Sequence, residues 1–163
     1  MARNNVPNVN IENAKLRFRN FTGEPTKFNK AGGKRTFSVV LDPETAQNLI
    51  DDGWNVKTWE PEGAEEPIYH LPVEASYNLY PPKIWMISGN KKTLLTEDTI
   101  AALQYAEFSN VDLIIRPYCW EVQGKSGVKA YVKSMYVTIV EDEFEKKYRD
   151  FEDDETSDDD IPF

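Results

Sequence analysis

Two long runs of β-favouring residues, 111–122 and 128–140, lie close together in the C-terminal half of the sequence. The five residues between them, 123–127, include two glycines, which is typical of the connection in a β-hairpin. The sequence therefore predicts a long antiparallel hairpin, and the remaining elements are interpreted around it.

Shorter strand-like segments precede the hairpin. Residues 10–21 alternate with a period of two, which predicts a single half-buried strand. One face of this strand carries Ala14, Leu16 and Phe18, and the other carries Lys15, Arg17, Arg19 and Phe21. Further strands are predicted at 34–41, 54–59, 68–77 and 83–88.

Two short helices are predicted between the strands. Asp42 is a suitable N-cap, Pro43 suits the first helical position and Gly53 ends this helix, while Thr96 begins the second. Their apolar positions are Ala46, Leu49 and Ile50 in the first helix and Ile100, Leu103 and Tyr105 in the second. Many strands without strand–helix–strand alternation indicate a mainly β fold, a small and largely antiparallel barrel.

The charge is distributed unevenly along the chain. The net charge of −9 would argue against a polyanionic partner, but residues 141–163 hold 12 acids and 3 bases and so account for all of it. Residues 1–140 hold 16 acids and 16 bases, and within them residues 1–40 carry 8 bases and 2 acids. The body is therefore neutral overall and basic at its N-terminal end.

This division predicts a folded domain at 1–140 followed by an acidic, largely disordered tail at 141–163. The chain has no apolar run long enough for a membrane span, and its N-terminus lacks the apolar core of a signal peptide. Cys119 is the only cysteine, which excludes an intrachain disulfide and a cysteine-based zinc site. We expect a cytoplasmic protein with no membrane partner.

Aromatic and basic residues share strand faces in the predicted hairpin. Arg116, Tyr118 and Trp120 lie on one face of the first strand, and Lys129, Tyr131 and Lys133 lie on one face of the second. Whether the two faces coincide depends on the register. A four-residue connection would place Trp120 beside Tyr131 and Tyr118 beside Lys133, whereas a five-residue connection would place them on opposite sides.

Flat rings bordered by cations suit single-stranded nucleic acid, because exposed bases stack on aromatic side chains while Lys and Arg contact phosphates. No basic helix is visible that could enter a duplex groove. The predicted phosphate contacts are Lys15, Arg17, Arg19, Lys34, Arg35, Arg116, Lys129 and Lys133. The predicted stacking residues are Phe21, Trp54, Trp59, Trp85, Tyr118, Trp120 and Tyr131, and the alternative for each is an ordinary place in the core.

The sequence gives little support for catalysis. His70 is the only histidine, so a nucleophile would lack its usual base. The Gly32-Gly33-Lys34 segment lacks the spacing of a phosphate-binding loop, and the carboxylates that could bind metal are scattered. We predict no catalytic residue, no metal site and no cofactor, with a metal-dependent nuclease as the less favoured alternative.

The C-terminal tip has the features of a short peptide ligand. It consists of Asp158, Asp159, Asp160, Ile161, Pro162 and Phe163. The apolar residues could fill a pocket, the terminal carboxylate could pair with Lys or Arg, and the acids could steer the tip towards a basic rim. A merely solvating acidic tail would explain the aspartates but not the Ile-Pro-Phe end.

This tip resembles, residue for residue, the C-terminal tip of bacterial single-stranded DNA-binding proteins and their phage-encoded counterparts. The resemblance implies an OB-fold that binds the strand and a tip that recruits replication, recombination and repair proteins. The body lacks the long Gly/Gln-rich linker of the bacterial proteins, which indicates a divergent, phage-encoded member working in the host cytoplasm.

The sequence therefore predicts a non-enzymatic protein that binds single-stranded DNA with little sequence preference. Its protein partners would be recruited through residues 158–163. The sequence does not determine whether the protein forms a homo-oligomer. The alternative is an adaptor whose acidic tail mimics DNA.

Overall fold

The computed structural model describes residues 6–25, 32–78 and 81–140. These residues form nine strands, one α-helix and one turn of 3-10 helix. In chain order the elements are β1 (Val9–Ile11), β2 (Leu16–Asn20), β3 (Arg35–Leu41), α1 (Pro43–Asp51), β4 (Lys57–Trp59), β5 (Ile68–Ala75), β6 (Lys83–Ser88), β7 (Lys91–Leu95), the 3-10 turn (Ile100–Leu103), β8 (Phe108–Val122) and β9 (Lys125–Ile139). The predicted tail, 141–163, lies outside the described residues.

The main sheet runs in the order β1-β8-β9-β5-β3-β2. Its first and last strands are consecutive parts of one chain segment, and between them the Ala14 N–H donates a hydrogen bond to the Val111 carbonyl at 2.7 Å. The sheet thus returns towards its start as a partly open barrel of the OB-fold type. The mainly β, OB-fold-like prediction is confirmed, although β9 pairs in parallel with both β5 and β6.

The core lies inside the curved sheet. It is formed by alternate residues of the strands, as the period-two patterns predict. Phe37, Val39 and Leu41 of β3 all face inwards, in agreement with the sequence. The largest fully buried side chains include Phe21, Phe37, Leu71, Ile84, Ile115 and Met135.

The hairpin formed by β8 and β9 has a shorter connection than either length considered from the sequence. Its turn consists of Gln123 and Gly124, which both have positive φ, at 52° and 80°. Two such residues form a type I′ turn, whose twist matches that of the flanking strands. Lys125, Ser126 and Gly127 therefore belong to β9 rather than to a loop.

The segment predicted as a single strand at 10–21 is divided and changes face. Phe18 has φ = 55°, and the pairing of β2 with β3 shifts register between Arg17 and Asn20. As a result Phe18 is 55% exposed while Phe21 is fully buried, the reverse of the prediction. The cause is a β-bulge, which adds a residue and exchanges the two faces beyond it.

The first predicted helix is confirmed as α1, and the Asp42 carboxylate accepts a hydrogen bond from the Thr45 N–H. Ile50, which was expected in its apolar stripe, is instead 43% exposed. The second predicted helix is a single 3-10 turn, and Tyr105 lies beyond it, 86% exposed. In the described ranges, no helix has both the length and the apolar character needed to cross a bilayer.

The positive φ of Gly124 in the hairpin turn can be tested by substitution. Gly124 has φ = 80° and a Cβ there would meet no other atom, so a Gly124→Ala change adds only the cost of a left-handed conformation. We expect the free energy of unfolding in urea to fall by about 1 kcal/mol. As a control, Gln123→Asn places a residue that tolerates positive φ at the preceding position and should not destabilise the protein. Equal stability of Gly124→Ala and the parent would contradict the type I′ assignment.

Candidate nucleic-acid interface

The side of the sheet opposite the core forms one continuous outer face. Cross-strand pairing places Arg17 of β2 next to Ser38 of β3, and Ser38 next to Pro72 of β5. Further along β5, Glu74 lies next to Tyr131 of β9. The face therefore passes from β2 through β3, β5 and β9 to β8.

A groove of about 1030 Å³ crosses this outer face. Its walls come from β2, β3, β5 and β9, from the residues after α1, and from the end of the β8–β9 hairpin. The groove is lined by, among others, Phe18, Arg19, Lys34, Thr36, Trp54, Pro72, Glu74, Trp120, Gly127 and Lys129. The groove thus has an aromatic residue from β2 on one wall and one from the hairpin on another.

The register of the hairpin brings the predicted aromatic and basic residues to the same face. Tyr118 is paired with Lys129 and Arg116 with Tyr131. The aromatic and basic residues of the two strands therefore share one face, although their cross-strand neighbours differ from those expected. The rings of Tyr118 and Tyr131 meet edge to face with their centroids 6.0 Å apart. Tyr131 is 5% exposed, so its ring is available mainly as support for Tyr118.

Trp120 packs closely against the backbone of the neighbouring strand at Gly127. It is paired with Gly127, where an added Cβ would lie 2.8 Å from a ring carbon of Trp120. Any side chain at position 127 would therefore displace the indole. Trp120 remains 38% exposed, so the indole packs on Gly127 while the side chain also lines the groove.

Lys129 is held in a fixed position at the groove. Its Nζ lies 2.8 Å from a carboxylate oxygen of Glu74 and 5.0 Å from the ring centroid of Tyr131. Burial works against the charged form, but hydrogen bonds to Glu74 and Tyr131 outweigh it and raise the pKa of Lys129. The ammonium group therefore stays charged at neutral pH, with part of its charge offset by Glu74.

A second aromatic cluster lies at the β2 side of the groove. The Phe18 ring is 5.5 Å from the Trp59 ring and 5.4 Å from the His70 ring, measured between centroids. The Arg17 guanidinium lies over Trp59 at 5.4 Å. Sequence periodicity assigned Phe18 to the core, and no local signal marked the bulge that exposes it.

His70 forms part of the floor beneath this cluster. It is 8% exposed, and its Nδ1 lies 3.0 Å from the hydroxyl oxygen of Ser38. Burial, with a smaller contribution from the charge of Lys57, lowers the pKa of His70. The imidazole is therefore neutral at physiological pH and adds no charge to the floor.

Several residues predicted to contact nucleic acid occupy other places. Phe21 is fully buried against Phe37, so its assignment as a stacking residue is wrong. Trp54 lines the groove but is only 4% exposed, so it belongs mainly to the core. Trp59 and Trp85 are partly exposed, the first beside the groove and the second on β6 outside it.

Arg19 is committed to structural contacts. Its guanidinium donates hydrogen bonds to the carbonyls of Leu103 and Ala106, at 3.3 and 2.6 Å, and lies 3.7 Å from the ring centroid of Phe108. Burial lowers its pKa, but Arg remains charged in proteins. Arg19 thus braces β2 against the segment that leads into β8. Because Arg19 also lines the groove, its predicted phosphate contact stays a prediction.

The other predicted cations are dispersed. Lys34 lines the groove, and Arg116 lies on the outer face beside Tyr131. Lys15 lies between β1 and β2, outside the groove, and Lys133 is exposed on β9. Arg35 begins β3, and its buried Nε has no hydrogen-bond partner among the described residues. The predicted tip, 158–163, lies outside the described residues.

Comparisons with known proteins show the family and the fold. A family model described as "Putative phage ssDNA-binding domain" matches residues 1–161. The single-stranded DNA-binding protein from bacteriophage Enc34, in complex with ssDNA, has a similar structure, with a TM-score of 0.53 and 13% identity over 83% of this chain and 88% of that chain. The C-terminal truncation of that protein gives a TM-score of 0.51 and 12% identity over 83% of this chain and 87% of that one. No curated protein sequence matches the chain.

The buried histidine predicts a pH dependence of stability. Because the pKa of His70 is lower in the folded protein than its ordinary value near 6.5, the unfolded chain binds the proton more readily. The free energy of unfolding should therefore fall as the pH drops below about 6.5, by at most ~1.36 kcal/mol per pH unit. Urea unfolding at pH 7.0 and at pH 5.5 measures this decrease in the free energy of unfolding.

His70→Gln is the control, since His70 is the only histidine of the chain. The variant should lose the pH dependence between 5.5 and 7.0, whatever its absolute stability. A variant that keeps the parent's slope would show that another group titrates in this range.

Proposed function

Since the chain belongs to the phage ssDNA-binding domain family, we propose that the groove on its outer face binds single-stranded DNA. The observation that carries the proposal is the groove itself, an open channel across an OB-type sheet with Phe18 and Trp120 in its walls and Lys34 and Lys129 beside them. The family and its structural neighbours are binding proteins rather than enzymes. The nuclease alternative is therefore set aside.

Base stacking would supply much of the affinity. Phe18 and Trp120 are 55% and 38% exposed and each is supported from behind, Phe18 by Trp59 and His70 and Trp120 by the backbone at Gly127. Stacking on an aromatic side chain contributes roughly 1–3 kcal/mol per base and accepts every base, because every base has a π face. This supports binding with little sequence preference.

Phosphate contacts would come from cations at the edges of the groove. Lys34 and Lys129 line it, Arg17 lies beside the Phe18 cluster, and Arg116 lies beside Tyr131. These groups can contact a flexible backbone without reading its sequence. The affinity should therefore fall with increasing salt.

A single strand fits this surface better than a duplex. The only α-helix of the described residues, α1, carries Glu44 and Asp51 and no Lys or Arg, so it is unsuited to enter a DNA groove. The groove floor consists of strand residues, including Thr36 and Pro72, and unpaired bases could approach it edge-on or face-on.

For the rest of the chain, we propose that residues 1–140 form the DNA-binding domain and that the acidic residues 141–163 recruit proteins. The proposal is supported by the concentration of the whole net charge in 141–163 and by the resemblance of residues 158–163 to the tip of single-stranded DNA-binding proteins. The partners would be replication, recombination and repair proteins in the cytoplasm of the bacterial host.

The groove residues can be tested by alanine substitution. Phe18→Ala and Trp120→Ala should each weaken binding of fluorescently labelled oligo-dT by about 5- to 150-fold, which corresponds to the loss of one stacked base. Fluorescence anisotropy measures the dissociation constants. Tyr105→Ala removes an aromatic side chain that is 86% exposed and does not line the groove, and it should leave the affinity unchanged. Equal effects of all three substitutions would count against the groove as the binding site.

The tail should compete with DNA because both are anionic. Deletion of residues 150–163 should tighten oligo-dT binding, most clearly at low salt, where charges are screened least. Deletion of Phe163 alone removes no acidic side chain and should leave the affinity unchanged. If the affinity at low salt is the same with and without residues 150–163, the tail does not compete.

A further inference from the structure

A further cluster of aromatic and basic residues, distinct from the one around Phe18, lies on the outer face away from the groove. Trp85 of β6 is paired in register with Tyr136 of β9, and the Nζ of Lys92 lies 4.5 Å from the Trp85 ring centroid and 5.2 Å from that of Tyr136. Tyr136 is 39% exposed, and Leu94, the β7 neighbour of Trp85, is 46% exposed. None of these four residues lines the groove.

The strands that carry this cluster are exclusively basic among their charged residues. Strands β6, β7 and β9 together contain six lysines and neither Asp nor Glu. The carboxylate in register with Tyr136 is Asp112 of β8, whose oxygens accept hydrogen bonds from the Asn13 N–H and from the side-chain amide of Asn110. The lysines of β6, β7 and β9 therefore outnumber the one carboxylate that lies in register with Tyr136.

The cluster is also continuous with the groove along β9. Tyr131 and Tyr136 are an odd number of residues apart, which would normally put them on opposite faces. The register shift in the β8–β9 ladder leaves Lys133 without a cross-strand partner residue, since Ile114 pairs with Ser134 and Ile115 with Val132. This extra residue returns Tyr136 to the outer face, about 17 Å from Tyr131 at ~3.3 Å per residue.

We propose that this second surface, formed by Lys83, Trp85, Lys92, Lys133 and Tyr136 and here called the β6–β7 patch, binds the continuation of the DNA strand that occupies the groove. The inference rests on the function proposed above and extends it. A strand leaving the groove along β9 would meet Lys133 first and then the rings of Tyr136 and Trp85. Phosphates suit the lysines and bases suit the rings, as in the groove.

The charge favours a polyanion over a second copy of the chain on this surface. Two copies joined through the β6–β7 patch would bring lysines of the same sign together, which disfavours association. Single-stranded DNA instead offers negative charge and flat apolar surfaces in one ligand.

Dependence of affinity on oligonucleotide length tests the proposal. The full-length protein and a Lys83→Gln/Lys92→Gln/Lys133→Gln variant are titrated with oligo-dT of lengths within and beyond the ~4–16 nucleotides that one OB fold occupies. The variant should match the parent on short oligonucleotides and bind long ones more weakly. On the long ones, loss of three phosphate contacts should reduce the slope of log affinity against log salt by about 2.

Two further variants make the pattern specific. Trp120→Ala, in the groove, should weaken binding at every length, and Tyr136→Leu, in the β6–β7 patch, only at long lengths. Urea unfolding of each variant confirms that it is folded.

The outcomes separate this inference from the proposed function. If the parent binds and the triple variant matches it at all lengths, the β6–β7 patch does not contact DNA. If the parent is a dimer by sedimentation and the triple variant a monomer, the β6–β7 patch is a self-association surface and the inference is overturned. If the parent binds no oligo-dT at any length, the proposed function fails and the inference with it.

Discussion

The pairing of β9 with its neighbours determines the arrangement of both surfaces. Strand β9 is hydrogen-bonded to β8 on one side and to β5 and β6 on the other. Its register with β8 is set by the two-residue turn at Gln123 and Gly124. A shift by one residue would turn Lys129 and Tyr131 into the core and bring Val128 and Ala130 outside, which the burial of apolar groups disfavours strongly. The turn therefore specifies both the core and the outer face.

The sequence predicts those parts of the fold that follow from local patterns of residues, and it does not predict those that depend on how strands pair. The inward residues of β3, the N-cap at Asp42 and the two long hairpin strands follow from alternation and capping alone. The bulge at Phe18 cannot be predicted in this way, because it depends on how β2 pairs with β3 and no residue type in the segment marks it. One inserted residue was enough to exchange Phe18 and Phe21 between the candidate site and the core.

The electrostatic character of the body also arises from folding. Residues 1–140 hold equal numbers of acids and bases, and along the sequence the only marked excess of bases is in residues 1–40. The strands separate them: β6, β7 and β9 carry lysines alone, while α1 carries acids alone among its charged residues. Sequence analysis found the hairpin lysines but did not predict β7 as a strand, so its pairing with β6 was missing from the expected fold.

Neutral and cationic groups occupy different places around the groove, and this affects how a strand would lie in it. Beneath the Phe18 ring lie neutral groups, Ser38 and a His70 whose lowered pKa keeps it uncharged, while Arg17 lies at the side over Trp59. Lys129 is likewise held at the groove by Glu74. A polyanion gains most when its phosphates meet the cations and its bases meet uncharged rings. A strand bound here as proposed would therefore place its bases towards the sheet and its backbone along the cationic edges.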